Sequence, residues 1–175
     1  ELTTRSLLWG HQYPSEENGR VANRGWGGRR AASAPEPENL WADSCAVISN
    51  GRLIITPAES KEIHCVKLEN GEMQWHLPRA GQSDEYSYLA CVHDGMAIVV
   101  GRSELTAIDM ENGKVAKGWP LKLPAGSVPS GRGFHAERYY YLPLNSAGGG
   151  EVAKIDLGQP SIVNRAKSHN DTIPG

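Results

Sequence analysis

The chain has 175 residues, a net charge of −2 and 39% hydrophobic residues, enough to bury one sizeable core and too balanced in charge to be drawn to nucleic acid or acidic membranes by an overall basic field. No apolar run approaches the ~20 residues of a membrane helix, and three cysteines, an odd number, argue against a closed disulfide framework. The chain starts at Glu1 rather than Met and its last residues read as the start of another unit, so a piece of a longer chain, or one that completes its sheets with other chains, is expected.

In chain order, residues 1–9 (ELTTRSLLW) read as the last strand of a preceding unit, ending in Trp9 much as a later strand ends in Trp75. Residues 10–42 differ: they are rich in Gly, Arg, Pro and Glu and lack periodicity, which marks an irregular insert or loop. Arg20, Arg24, Arg29 and Arg30 there could bind an anion, but the favoured reading is a solvated loop whose arginines pair with Glu16, Glu17, Glu36 and Glu38; GWGG neither follows a clear strand nor opens a helix, so it is no phosphate fingerprint.

From residue 43 onward the chain is built of short apolar runs separated by turn dipeptides. Asn50-Gly51, Asn70-Gly71, Asp94-Gly95 and Asn112-Gly113 each supply the positive φ that a hairpin turn needs. The unit recurs. EIHCVKLENG (62–71) aligns without gaps on ELTAIDMENG (104–113), and EVAKIDLGQP (151–160) follows the same frame. The halves before them, CAVISNGRLIIT, LACVHDGMAIVV and GFHAERYYYLP, align at Asn50-Gly51, Asp94-Gly95 and Ala136-Glu137. A period of about 42 to 47 residues with about four short strands per unit belongs to propeller blades. The length variation sits between the second and third strands of each unit: short at Arg102-Ser103, longer at 57–61 and longest at 145–150. In the middle unit, residues 114–119 are expected to return as a strand after Asn112-Gly113.

The expected organisation is therefore all-β: an antiparallel β-propeller segment of about three to four blades, with blades at 43–84, 85–125 and 126–165, and 166–175 as a crossing loop into a further blade. Glu62, Glu104 and Glu151 open the same strand in every unit, and recurrence of that kind marks a structural role, since a catalytic group is usually unique. Tyr139, Tyr140 and Tyr141 put side chains on both faces of their sheet. Cys45, Cys65 and Cys91 read as small buried hydrophobes, the first and third strands of a blade being too far apart for Cys45 and Cys65 to bridge.

Propellers bind ligands on the face formed by the loops between blades and between second and third strands. The candidates on that face are Asp84, Arg102, Arg132, His169 and Asp171, with His135 in the strand that follows Arg132. Arg132 lies between two glycines (SGRGF) just before an innermost strand, where backbone and ligand can approach closely. No catalytic residue and no metal site is expected: there is no Ser-His-Asp ordering, nucleophile elbow, C-x-x-C or H-x-x-x-H.

The pattern "DG, apolar run, short loop, L-x-A-I-D, x-x-G, then W", best over 85–119, fair over 43–78 and weaker over 126–165, resembles the repeat of pyrroloquinoline-quinone (PQQ) type β-propellers. That family includes quinoprotein alcohol dehydrogenases and the non-enzymatic propeller of the outer-membrane assembly lipoprotein. The resemblance implies a periplasmic or extracytoplasmic location. For the dehydrogenases it also implies a quinone and a calcium ion held by an adjacent Cys-Cys pair, a stacking Trp, and Glu, Asn and Asp ligands. This sequence has no adjacent cysteines, and Trp75 and Trp119 fall in last-strand positions, so no cofactor residue carries over. The leading expectation is a non-catalytic binding or scaffold segment with no cofactor of its own, partnered by further blades from the same gene product or another chain. The alternative is part of a PQQ-dependent quinoprotein oxidoreductase whose PQQ and calcium ligands lie outside this chain.

Overall fold

A computed structural model describes residues 7–13, 44–57, 60–81 and 84–167. Within them there are thirteen strands in three antiparallel sheets and no helix. The first sheet, blade 1, is β1 (Cys45–Ser49), β2 (Arg52–Thr56), β3 (Glu62–Lys67) and β4 (Met73–Pro78), in that spatial order. Blade 2 is β5 (Tyr86–His93), β6 (Met96–Gly101), β7 (Glu104–Asp109) and β8 (Leu121–Lys122). Blade 3 is β10 (Phe134–Ala136), β11 (Tyr139–Ser146), β12 (Gly149–Asp156) and β13 (Ser161–Lys167), with β9 (Val128–Pro129) also paired to β11. The expected all-β propeller segment is what forms.

The turn chemistry explains the hairpins. Asn50, Asp94 and Glu137 all take positive φ, of 48°, 46° and 56°, at the first hairpin of each blade. In blade 3 the turn is therefore Glu137-Arg138, one residue later than the Ala136-Glu137 read from sequence. At the second hairpin of blades 1 and 2 only the glycine is left-handed (Gly71 at 72°, Gly113 at 71°). Asp109 N–H bonds to Lys114 O at 2.8 Å and Gly113 N–H to Asp109 O at 2.8 Å, so the Asn112-Gly113 connection is a four-residue loop rather than a two-residue turn. The Asp109 carboxylate secures it by accepting from Glu111 N–H at 2.7 Å and the Asn112 amide at 3.1 Å. Asp156 does the same for Gly158 and Gln159 N–H in blade 3, at 3.0 and 3.1 Å.

Two expectations are corrected. Residues 145–150 are not a long loop: Asn145 pairs with Gly150 and Ser146 with Gly149, so β11 and β12 run straight into a tight hairpin, glycine permitting the turn at Gly149 (φ 99°). Residues 114–119 are not a strand either. A single bridge joins Val115 to Ile108, and the fourth strand of blade 2 forms later, at β8, because the positive φ of Gly118 (88°) and the missing N–H of Pro120 interrupt the ladder.

Blade faces pack through two cores. Ile98, Val100, Leu105, Ala107 and Trp119 of blade 2 meet Tyr140, Leu142, Leu144, Ala153 and Ile155 of blade 3. Ala97, Val99, Ile108 and Met110 point the other way, onto Ile54, Ile63, Cys65 and Trp75 of blade 1. The period-2 alternation of a strand thus feeds both cores from β6, each fully buried aliphatic side chain contributing roughly 1.5–3 kcal/mol. Trp75 closes its seam by donating Nε1–H to Met110 O at 2.9 Å while its ring lies on Gly113, where an added Cβ would come within 2.9 Å. Trp9 repeats that seat one unit earlier, with Nε1–H to Leu68 O at 2.9 Å and its ring on Gly71. The recurring glutamates cross-link the outer strands as cross-strand charge pairs: Glu62 to His76 at 3.2 Å, Glu104 to Lys122 at 2.5 Å and Glu151 to Arg165 at 2.6 Å. Cys65 is buried, whereas Cys45 and Cys91 are half-buried, one in each of two inner strands. The readings placed on residues 1–6, 14–43 and 168–175 lie outside the described residues.

Candidate functional site

The inner strand of blade 3 is broken. β9 and β10 lie along the same edge of β11, Pro129 opposite Leu144 and Phe134 opposite Tyr141, and residues 130–133 (SGRG) loop out between them. The break is held at both ends: Ser130 N–H bonds to Pro143 O at 3.0 Å, and Gly133 N–H bonds to the Tyr140 hydroxyl at 3.0 Å. Gly133 is required by close approach, since a Cβ there would sit 2.1 Å from Tyr141 O. Interruptions of this kind re-aim a side chain and occur next to functional sites.

The side chain re-aimed is Arg132. Its guanidinium crosses the blade boundary, donating to Leu89 O of β5 at 2.7 Å, with a longer contact to the Cys45 sulfur of β1 at 3.8 Å. Its Cζ stands 5.3 Å from the centre of the Tyr88 ring. Arg132 thereby touches inner strands of both other blades. Tyr88 is fixed beneath it: its hydroxyl donates to Gly131 O at 3.3 Å and lies 3.3 Å from the Tyr140 hydroxyl. Burial, and then the neighbouring Tyr88 hydroxyl, push Tyr140 well above the usual phenol range, so its hydroxyl stays protonated.

Between blades 2 and 3, on this face, is an open cleft of about 460 Å³ lined by Ser87, Tyr88, Gly101, Arg102, Val128, Pro129, Gly131 and Arg132. Arg102 reaches it from the β6–β7 connection, and its exposed side chain has no hydrogen bond or ion pair to any described residue. Asp84 stands behind that connection. It accepts from Ser103 N–H, from the Ser103 hydroxyl at 3.1 Å and from Glu85 N–H at 2.9 Å. Its oxygen would lie 2.7 Å from a Cβ added to Gly101. Asp84 therefore holds the loop that presents Arg102.

The structure thus brings together Arg102 and Arg132, with Asp84 supporting the first. His135 does not join them. It is exposed on β10 beyond the break, in edge contact with His93 at 5.3 Å between ring centres, near the Asp94-Gly95 hairpin that closes the opposite end of β5. His169 and Asp171 lie outside the described residues. Tyr88 and Pro129 were not singled out from sequence, and Tyr140 was read only as part of a strand with side chains on both faces of its sheet. The hint was the SGRG stretch itself, but their grouping needs blade 2 to be packed on blade 3.

Among the described residues no group of three or more His, Cys, Asp or Glu side chains could hold a metal ion. Nor do they fit a quinone seat. The three cysteines stand in three separate strands, the Trp75 indole N–H is engaged by Met110 O, and Trp119 is buried in the core between blades 2 and 3. No helix among the described residues is long and apolar enough to cross a membrane.

No family model matches the sequence, and no curated protein matches it. Solved structures do. BamB from Moraxella catarrhalis superposes on 70% of this chain with a TM-score of 0.52 at 13% identity. A quinohemoprotein alcohol dehydrogenase from Pseudomonas putida HK5 superposes on 69% with a TM-score of 0.54 at 18% identity. The quinohemoprotein alcohol dehydrogenase from Comamonas testosteroni does so on 73%, with a TM-score of 0.54 at 15% identity. The three sheets are therefore blades of an antiparallel β-propeller. Two of these three structures are quinohemoprotein alcohol dehydrogenases, proteins of the group whose repeat the sequence resembles. This chain spans 35% of the length of BamB and 20% and 21% of the two dehydrogenases.

Proposed function

We propose that this chain is a non-catalytic binding or scaffold segment of a PQQ-like β-propeller, with the cleft between blades 2 and 3 as its binding site. The observation that carries the reading is the SGRG break, which sets Arg132 across the blade boundary beside Arg102 on one face. Two guanidinium groups above the mostly apolar floor of Tyr88, Val128 and Pro129 favour a ligand with an anionic end and an apolar body. In this reading the blades are 43–84, 85–125 and 126–165, residues 1–9 belong to a preceding blade, and 166–175 lead to a following one. The partners are further blades from the same gene product or another chain, and the compartment is extracytoplasmic, as the repeat resemblance implies.

The second reading, part of a PQQ-dependent oxidoreductase whose cofactor ligands lie elsewhere in the protein, is favoured by the likeness to two quinohemoprotein alcohol dehydrogenases. The full-length protein incubated with PQQ and calcium and assayed for alcohol-dependent dye reduction separates the two. Dye reduction supports the oxidoreductase. Its absence, with an anionic amphiphile such as a fatty acid bound by the wild type and lost in R102A/R132A, supports the scaffold. If neither dye reduction nor arginine-dependent binding is seen, both readings are wrong.

A further inference from the structure

The face of blade 1 turned away from blade 2 carries residues 7–13, and the contact between them is unlike the other seams. Its cross-strand row is Ala46, Ile55, His64 and His76, so β1 and β2 bring no titratable group to it. His64 is the counterpart of Thr106 in the ungapped repeat. Thr106 faces the apolar core between blades 1 and 2 and bonds to the Tyr86 hydroxyl. His64 instead meets imidazoles. The His11 ring stands edge-on to it at 5.6 Å between centres, the His76 ring is stacked at 6.5 Å, and the Tyr13 ring lies at 5.9 Å.

Among the described residues the hydrogen bonding of this cluster is incomplete at two ring nitrogens. His64 Nε2 is matched by the Ser60 hydroxyl at 3.2 Å, with Glu62 at 3.9 Å, and Glu62 also holds His76 Nδ1 at 3.2 Å. His64 Nδ1 and His11 Nε2 are both buried and have no hydrogen-bond partner among the described residues. His64 itself is 1% exposed. An unpartnered polar atom in a dry contact is costly, and a proton added to His64 places a cation beside two other imidazoles. The titratable and charged groups facing His64 are then Glu62 on its own strand, His76 on β4, and His11 and Tyr13 on the segment. Lys61 adjoins Glu62 in the chain. Among the described residues only Glu62 offsets an added positive charge, and it already serves His76.

We propose that this histidine seam is a proton-controlled latch: residues 7–13 are seated on blade 1 while His64 is neutral, and leave it when His64 is protonated. The direction follows from linkage. Burial, ahead of the opposing influence of Glu62, holds His64 below its ordinary value of 6.5, and the charges of His11 and His76 lower it further. The released state, with His64 in water, therefore binds its proton first. Seating is complete above pH 6.5 and weakens as the pH falls from there toward the lowered value in the seated state. Each proton taken up shifts the seated-to-released ratio by at most about tenfold per pH unit.

Trp9 reports the latch directly, because its indole N–H is bonded to Leu68 O only when the segment is seated. The experiment is to follow the ¹⁵N-indole resonance of Trp9, assigned with W9F, in the full-length chain from about pH 8 to about pH 5. The expected result is a seated resonance at high pH that gives way to a released one over this range, while the Trp75 indole, bonded to Met110 O in the seam without histidine, does not move. H64T, which installs the residue of the neighbouring blade, abolishes the transition. Should H64T fail to fold, H64N, which keeps a polar side chain there that does not titrate, must abolish it too. A Trp9 resonance that stays seated to about pH 5, or a transition that persists in the His64 variants, overturns the proposal.

Discussion

Blade 2 and blade 3 are built from the same repeat and buried differently. Along β6 and β7 of blade 2, residues 97–101 and 104–108 are buried without a break, because both faces of the sheet are covered. Along β11 of blade 3, buried and half-buried residues alternate, Tyr140, Leu142 and Leu144 facing blade 2 and Tyr139, Tyr141 and Pro143 facing out. On that outer face Phe134 stacks on Tyr141 at 4.6 Å, Lys154 sits 3.9 Å over the Tyr139 ring, and Phe134 and Val163 are 61% and 49% exposed. The difference teaches that a blade's strand sequence encodes two contact faces, of which the described part of blade 3 uses one. In the proposed reading, an outward face with this much apolar and aromatic surface serves as a partner surface.

The comparison can be broken at single residues, the largest effect coming first. Val99→Asp places an unpaired carboxylate in the core between blades 1 and 2 and should lower stability by about 4 kcal/mol or more, whereas Tyr141→Asp on the outer face of blade 3 should lower it by about 1 kcal/mol, both read from denaturant midpoints. Ile98→Ala should cost about 2–5 kcal/mol through the cavity it leaves, and Val163→Ala less than about 0.5 kcal/mol; equal losses would mean that both blades are covered alike. At the strand break, Gly133→Ala meets Tyr141 O and should cost about 1–3 kcal/mol, while Gly131→Ala, with nothing nearer than Pro143 Cγ at 3.8 Å, should be close to neutral. The thiols give the smallest and most gradual effect. Burial pushes Cys65 up to about 11 and Cys91 up to about 12, from 9.0. The unfolded chain therefore loses these protons first, and stability should fall as pH rises from 9.0 toward those values. The C91A variant should show a shallower decline between about pH 8 and about pH 10 in the same midpoint measurement.

The repeated core of the fold was legible because its signals are local. An apolar run of period 2 and a turn residue with positive φ fix β2, β3, β6 and β7 and their hairpins, and the recurrence of Glu62, Glu104 and Glu151 announced a structural group, here a cross-strand charge pair. What failed was also local but ambiguous. Gly148, Gly149 and Gly150 read as loop, yet pairing with Asn145 and Ser146 holds Gly149 and Gly150 in a strand. Val128-Pro129 was too short to read as a strand, so the break at SGRG was visible only as glycines around Arg132. Arg102 and Arg132 were named from their loop positions. Their union over Tyr88, the support from Asp84, and the removal of His135 to the side of His93 depend on how blades stack, which no stretch of sequence states. The histidine seam was hidden for the same reason: His11 and His64 lie in segments far apart in the chain, and each alone reads as an ordinary polar residue.

The central claim is that these blades are part of a larger ring, with the outer face of blade 3 covered by another blade. The most direct measurement is of residues 1–175 expressed alone, with size by light scattering and folding by thermal melts over a range of protein concentrations. The account predicts self-association, or a broad transition that shifts with concentration, and predicts that charging the outer face with V163D suppresses the association. A stable monomer with a sharp, concentration-independent transition would contradict it.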